Sequence, residues 1–128
     1  MMQKSVLTIT TAVLAISAFG LLFFPSNMLG VVGISSSAQA DFLLRTTGVG
    51  VAALIPGAWV ARTLTASSPI LRAVLLGLAS YMLLSVAVDF QAFTQSIVNT
   101  ASIPSMAFRI LLGSGLLMLA AKTWERTK

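Results

Sequence analysis

One of the long apolar segments of the sequence is Asp41-Phe-Leu-Leu-Arg45-Thr-Thr-Gly-Val-Gly-Val-Ala-Ala-Leu-Ile-Pro-Gly-Ala-Trp59-Val-Ala-Arg62-Thr63. Asp41 and Arg45 form an acid–base pair near its start, and Trp59 and Arg62 lie near its end. About 20 mostly apolar residues are enough for a helix to cross a bilayer. Because tryptophan and basic residues concentrate at membrane boundaries, the segment predicts a transmembrane helix.

The composition extends this interpretation to the whole chain. Of its 128 residues, 57% are hydrophobic and only 9% are charged, and the mean hydropathy is +0.97. A soluble domain carries about 25% charged residues, so we expect lipid rather than water around this chain. The net charge of +5 comes from basic residues at the ends of apolar segments. That placement indicates anchoring at a membrane boundary and argues against a nucleic-acid partner.

Four apolar segments, at about 6–24, 38–64, 69–90 and 103–124, predict an all-α fold, a four-helix transmembrane bundle that forms a single domain over residues 1–128. The first segment follows a basic residue, as a signal peptide does, but it is longer than the usual apolar core of about 7–15 residues. We therefore expect it to be retained. The connection over residues 25–40 predicts a short interfacial segment or re-entrant turn. Ser68 and Pro69 predict the start of the third helix.

Small residues recur at helical spacing in three of these segments. In the second helix they are Thr46, Gly50, Ala53 and Gly57, and further ones are Gly77 in the third helix and Gly113 in the fourth. Small side chains let neighbouring helix backbones approach closely in a membrane. We expect the second-helix residues to pack inside the chain's own bundle, and a dimerisation face is the alternative.

Charged residues also indicate one polar cluster at the outer side of the membrane. Its members are Asp41, Arg45, Asp89 and Arg109, with Tyr81 deeper in the bilayer. An unpaired charge inside a membrane is costly, so we expect Arg109 to pair with Asp89 and Arg45 to pair with Asp41 or Asp89. Because the charges balance, we favour a structural clamp across three helices. The alternative is a binding site for an anionic or quinone-like headgroup.

The sequence contains neither histidine nor cysteine, the side chains most often used as general bases, thiolate nucleophiles and soft metal ligands. We therefore expect no enzyme activity, no metal site and no bound cofactor.

Charge asymmetry predicts the topology. Placing both termini in the cytoplasm puts most basic residues inside, namely Lys4, Arg62, Arg72, Lys122, Arg126 and Lys128.

A second pattern indicates a parallel repeat of two helical hairpins. The spacing from Arg45 to Arg62 equals that from Arg109 to Arg126, and both segments contain paired glycines and a tryptophan.

The pattern FLLRTTGVGVAALIPGAWVAR…ILRAVLLGLASYMLL, with Arg45, Gly48 and Arg62 at its marked positions, resembles small bacterial four-helix integral membrane proteins that are grouped with the DoxX-like proteins. The resemblance covers the middle half of the chain. It implies a multi-pass protein of the bacterial inner membrane. Some DoxX-like proteins are similar to subunits of quinone-linked oxidoreductases.

Two functional hypotheses follow from the sequence. The first is a non-catalytic accessory or scaffold subunit that packs against a larger membrane complex, for example a respiratory or photosynthetic one. The second is a binder or transporter of a small molecule, lipid or quinone headgroup that uses the outer charged cluster. We expect the lipid bilayer and either a membrane-protein partner or a second copy of the chain as neighbours.

Overall fold

A computed structural model describes residues 2–125, with side chains described through residue 123. Within these residues the chain forms five α-helices: α1 (Met2–Phe23), α2 (Pro25–Val31), α3 (Ala38–Ala61), α4 (Pro69–Thr94) and α5 (Ile103–Glu125). No strand occurs in this part of the chain. The predicted all-α bundle is therefore confirmed, whereas Arg126 and Lys128, used in predicting the topology and the repeat, lie outside the described residues.

Helix starts follow from local capping chemistry. The Ser68 hydroxyl accepts a hydrogen bond from the Leu71 amide, and Pro69 follows it in the first helical position, as predicted. The start of α3 is capped in the same way by Ser37, whose hydroxyl accepts from the Ala40 amide. The predicted interfacial segment contains α2, which begins at Pro25 because a proline there loses no helical hydrogen bond.

The four long helices pack in a ring in the order α1, α3, α4, α5. The most extensive packing joins α1 to α3 and α4 to α5, so the bundle consists of two helical hairpins. All four helices contribute to one apolar core, which includes Leu14, Val51, Leu75 and Leu116. Within residues 2–125, four helices are long and apolar enough to span a membrane, as expected of a multi-pass membrane protein.

We call the two ends of the bundle the loop end and the terminal end. The loop end holds α2, the start of α3, the end of α4 and the start of α5. The terminal end holds the start of α1, the connection between α3 and α4, and the end of α5. At the loop end, Asn99 joins the two hairpins. Its backbone N–H donates to the Val32 carbonyl at 2.9 Å, and its side-chain NH2 group donates to the Val31 carbonyl at 3.2 Å.

Glycine shapes two of these contacts. Gly33 adopts a positive φ of 83°, which turns the chain after α2 towards Asn99. Gly48 is buried where α3 crosses α1, and a methyl group there would lie 3.0 Å from Leu21 and Leu22 side-chain atoms. The crossing therefore needs glycine for its close approach.

Candidate functional site

Arg109 is the centre of a polar cluster between α4 and α5. Its guanidinium forms an ion pair with Asp89, and the same group donates hydrogen bonds to the Ser85 hydroxyl at 3.0 Å and the Ser105 hydroxyl at 3.2 Å. The side chains of Arg109 and Asp89 are 21% and 34% exposed. The predicted pairing of Arg109 with Asp89 is therefore confirmed.

Helical spacing explains why these groups meet. Tyr81, Ser85 and Asp89 follow one another at four-residue intervals along α4, and Ser105 precedes Arg109 by four residues on α5. Residues at that spacing share a helix face. Tyr81 is partly buried and lies within electrostatic range of both members of the ion pair. The two serines were missed in the sequence analysis, although this spacing could have revealed them.

Asp41 belongs to a separate cluster on the other hairpin. Its carboxylate accepts hydrogen bonds from the Ser26 hydroxyl at 2.7 Å and the Ser36 hydroxyl at 3.0 Å. Ser26 lies on α2 and Ser36 lies in the segment that connects α2 to α3. The expected clamp across three long helices is therefore wrong: one cluster joins α4 to α5, and the other joins α2 and its connection to α3.

Arg45 has a different environment from Arg109. It is exposed, and among the described residues it forms no ion pair and no hydrogen bond. The prediction that it pairs with Asp41 or Asp89 is wrong, because serine hydroxyls hold Asp41 and Arg109 holds Asp89. The two arginines near the loop end thus differ in kind, since Arg109 is neutralised within the fold and Arg45 is not.

The small residues fall into two groups. Gly113 is buried, and a methyl group on it would lie 3.0 Å from the Leu83 side chain of α4. The others are exposed, and a Cβ added to any glycine among them would have no atom within 4 Å; they are Thr46, Gly50, Ala53, Gly57 and Gly77. The expectation that the second-helix stripe packs inside the bundle is wrong, because α3 contacts its neighbours through Gly48, Val51 and Ala58 on another face.

The surface of α3 has one further feature at each end of the bundle. A shallow, open groove lined by Ala38, Gln39, Phe42 and Leu43 lies at the loop end of α3. At the terminal end, the Arg62 guanidinium lies 4.0 Å above the ring of Trp59, which is 57% exposed. A cation over an aromatic ring at this distance is a favourable contact and is typical of a membrane boundary.

Within the described residues, no group of three or more acidic side chains is arranged to hold a metal ion. The sequence matches no protein-family model, and no curated protein or solved structure shows significant similarity to it.

Proposed function

We propose that this protein is a non-catalytic accessory or scaffold subunit of a larger membrane complex, and that a helix of the partner packs on the exposed face of α3. The observation that carries the proposal is the outward position of Gly50 and Gly57, which leaves open space where a side chain would be. We call the face formed by Thr46, Gly50, Ala53 and Gly57 the small-residue face.

Glycine inside a helix costs up to about 1 kcal/mol relative to alanine. Gly48 offsets that cost by letting α1 approach, but Gly50 and Gly57 make no such contact within the chain. In a membrane, small residues at this spacing permit close packing of another helix and gain dispersion energy that lipid tails provide less well. A partner helix therefore gives these two glycines a physical role.

Pro56 adds a second reason. It is exposed within α3, and proline has no amide hydrogen to donate to the carbonyl four residues earlier, that of Ala52. Polar backbone groups freed in this way within a membrane are commonly satisfied by neighbouring helices. A partner with a hydroxyl or amide donor at this depth fits the requirement.

The non-catalytic part of the proposal rests on the charged side chains. The ion pair between Arg109 and Asp89 is already neutral and bonded to two serines, so its charges are engaged in joining α4 to α5. Such an arrangement stabilises a hairpin and leaves neither a free base nor an activated nucleophile in the cluster.

For the orientation, we propose that both termini face the cytoplasm of a bacterial inner membrane. The terminal end carries Lys4, Arg62, Arg72 and Lys122, whereas the loop end carries Arg45 and Arg109. Cytoplasmic boundaries are enriched in lysine and arginine. Because the sequence contains no cysteine, single cysteines can be placed at Lys4 and at Ser36. A membrane-impermeant maleimide should label Ser36→Cys in intact spheroplasts and Lys4→Cys only after the membrane is permeabilised.

Crosslinking tests the docking face directly. The variant Ala53→Cys should crosslink to a larger partner in native membranes, whereas Ala15→Cys, on an exposed face of α1, should crosslink weakly or not at all. Ala53→Leu should also abolish co-purification of that partner in mild detergent, whereas Ala15→Leu should preserve it. Equal crosslinking at both cysteines would refute the docking face. A covalent dimer of the chain through Ala53→Cys would place a second copy there and contradict the accessory role.

A further inference from the structure

Arg45 has hydrogen-bond donors that the described part of the chain does not use. A guanidinium has five N–H donors, and those of Arg45 have no acceptor among the described residues. The side chain starts seven residues into α3, a helix that is long and apolar enough to span a membrane. A basic side chain at that depth extends its charge towards the boundary, where lipid phosphates are the nearest anions.

Asp41 lies one helical turn closer to the loop end and has unused acceptors. A carboxylate accepts about four hydrogen bonds, and within residues 2–125 only Ser26 and Ser36 donate to that of Asp41. The two hydroxyls fix the carboxylate in place, and they leave it free to bind a cation. Residues four apart on a helix have Cβ atoms about 5–6 Å apart, so Asp41 and Arg45 together present one acceptor and one donor group to the same ligand.

We propose that Asp41 and Arg45 bind the headgroup of a phospholipid that carries a primary ammonium, with the phosphate on Arg45 and the ammonium on Asp41. The order along the helix agrees with this assignment. Asp41 lies about 6 Å nearer the start of α3, and so nearer the membrane boundary, than Arg45, at 1.5 Å per residue. In a bilayer the phosphate lies deeper than the ammonium, and a two-carbon linker separates them. The proposal holds for either orientation of the protein.

The same geometry predicts selectivity. A lipid with a glycerol headgroup provides the phosphate but leaves Asp41 without a cation. A choline headgroup provides a cation that has no N–H donor for the carboxylate. Only a primary ammonium forms a charge-assisted hydrogen bond with Asp41 while its phosphate contacts Arg45. This lipid site uses the Asp41 edge of α3 and does not depend on a protein partner at the small-residue face.

Native mass spectrometry of the full chain in detergent tests the site with three defined lipids: phosphatidylethanolamine, phosphatidylglycerol and phosphatidylcholine. We expect the unmodified protein to bind phosphatidylethanolamine about tenfold more tightly than the other two, the size expected for a hydrogen bond to a charged group. Arg45→Gln should weaken the binding of all three lipids about tenfold. Asp41→Asn should weaken only phosphatidylethanolamine and remove the preference.

Lys4→Gln is the matched control, because it also removes one positive charge but from the terminal end. It should leave the preference among lipids unchanged. Circular dichroism should show the same helical content in every variant. The Asn side chain of Asp41→Asn can still accept from one serine through its carbonyl oxygen and donate to the other serine hydroxyl through its NH2 group. Equal affinity for the three lipids would refute the proposal, as would equal losses for Arg45→Gln and Lys4→Gln. Displacement of the lipid by millimolar inorganic phosphate would identify a simple phosphate site and refute the lipid assignment.

Discussion

The two hairpins have similar apolar interfaces between their paired helices, and we call each interface the seam of its hairpin. In α3, Gly48 packs against Leu21 and Leu22 of α1, and in α5, Gly113 packs against Met82 and Leu83 of α4. When α3 is aligned with α5 at these glycines, and α1 with α4 at the residues that contact them, other buried positions correspond too. They include Leu14 with Leu75, Ala18 with Ala79, Val51 with Leu116 and Ala58 with Thr123. The positions that must be small or buried are thus shared between hairpins that otherwise differ in sequence.

At the loop end the hairpins differ. In the same alignment, Ser85 and Asp89 correspond to Phe24 and Met28, and Arg109 corresponds to Leu44. Between Phe24 and Met28 the first hairpin breaks at Pro25 and continues as α2, whereas α4 runs unbroken to Thr94. An ion pair therefore closes the second hairpin, and a folded-back helix closes the first. The comparison indicates that the apolar seam holds the two helices of each hairpin together, and that the polar contacts at the loop end can differ between hairpins.

Breaking the ion pair should have the largest effect. Asp89→Asn leaves the half-buried Arg109 without its counter-charge, and an unpaired arginine in a membrane costs about 2.5–3.5 kcal/mol on insertion scales. We expect the free energy of unfolding, measured by titration with sodium dodecyl sulfate in mixed micelles, to fall by about 2–3 kcal/mol.

Asp41→Asn is the control in the first hairpin, because Asp41 contacts hydroxyls rather than a cation. Its unfolding free energy should fall by less than about 1 kcal/mol. The double variant Asp89→Leu/Arg109→Leu should recover most of the stability lost in Asp89→Asn. Equal losses for Asp89→Asn and Asp41→Asn would show that the ion pair does not distinguish the two hairpins.

Replacing the glycines of the two seams by alanine should have the next largest effect on the unfolding free energy, and the effect should differ between the two. A methyl group at Gly48 would lie 3.0 Å from Leu21 Cβ, which cannot move unless α1 moves, whereas at Gly113 the atoms at 3.0 Å belong to the end of the Leu83 side chain. We expect Gly48→Ala to lower the unfolding free energy by about 1 kcal/mol. Gly113→Ala should change it by less than about 0.5 kcal/mol.

Gly50→Ala and Gly115→Ala are the matched controls, since a methyl group at either position has open space around it. Each should raise the unfolding free energy by up to about 1 kcal/mol, because alanine is the better helix former. Destabilisation by Gly50→Ala in the isolated protein would mean that the small-residue face already packs against something within the chain.

The contact of Asn99 between the hairpins should have an effect similar to that of Gly48→Ala. Asn99→Ala removes the side-chain bonds to the Val31 carbonyl and from the Ala101 amide but keeps the backbone bond to Val32. We expect a loss of about 1 kcal/mol and faster hydrogen exchange at Gly33 and Ala101. Asn27→Ala, an exposed change on α2, should alter neither quantity. Unchanged exchange in Asn99→Ala would show that the hairpins are held together by the apolar core alone.

The sequence was sufficient to place the four long helices and to predict the cap of α4 by Ser68, because both depend on local chemistry. The expected start at Pro69 agrees with α4, and the expected start at residue 38 agrees with α3. The direction of the small-residue face could not be predicted in the same way. In a membrane protein both the core side and the lipid side of a helix are apolar, so a row of small residues does not reveal which side it lies on.

The polar contacts were predictable only in part, for a similar reason. Arg109 and Asp89 could be paired because helix length brings the end of α4 beside the start of α5. The partners of Asp41 come instead from α2, whose position depends on the fold-back at Pro25, and no periodic pattern marks Ser26 or Ser36. The proposed repeat also changes in detail: with Gly48 aligned to Gly113, Arg45 falls opposite Ile110 rather than Arg109.

The smallest loss expected from removing a polar contact is at the terminal end of the first hairpin. The side-chain amide of Gln3 donates to the carbonyls of Ala61 at 3.3 Å and Leu64 at 3.2 Å. Carbonyls at a helix end lack partners within the helix, but water at the membrane boundary can replace a lost donor. Gln3→Ala should therefore lower the unfolding free energy by only about 0.5 kcal/mol, with faster hydrogen exchange confined to the first turn of α1 and the last turn of α3. Gln39→Ala, an exposed change at the other end of α3, should leave that exchange unchanged. A loss as large as that of Asp89→Asn would mean that the first hairpin also depends on a polar contact at its end, and the distinction between the two hairpins would fail.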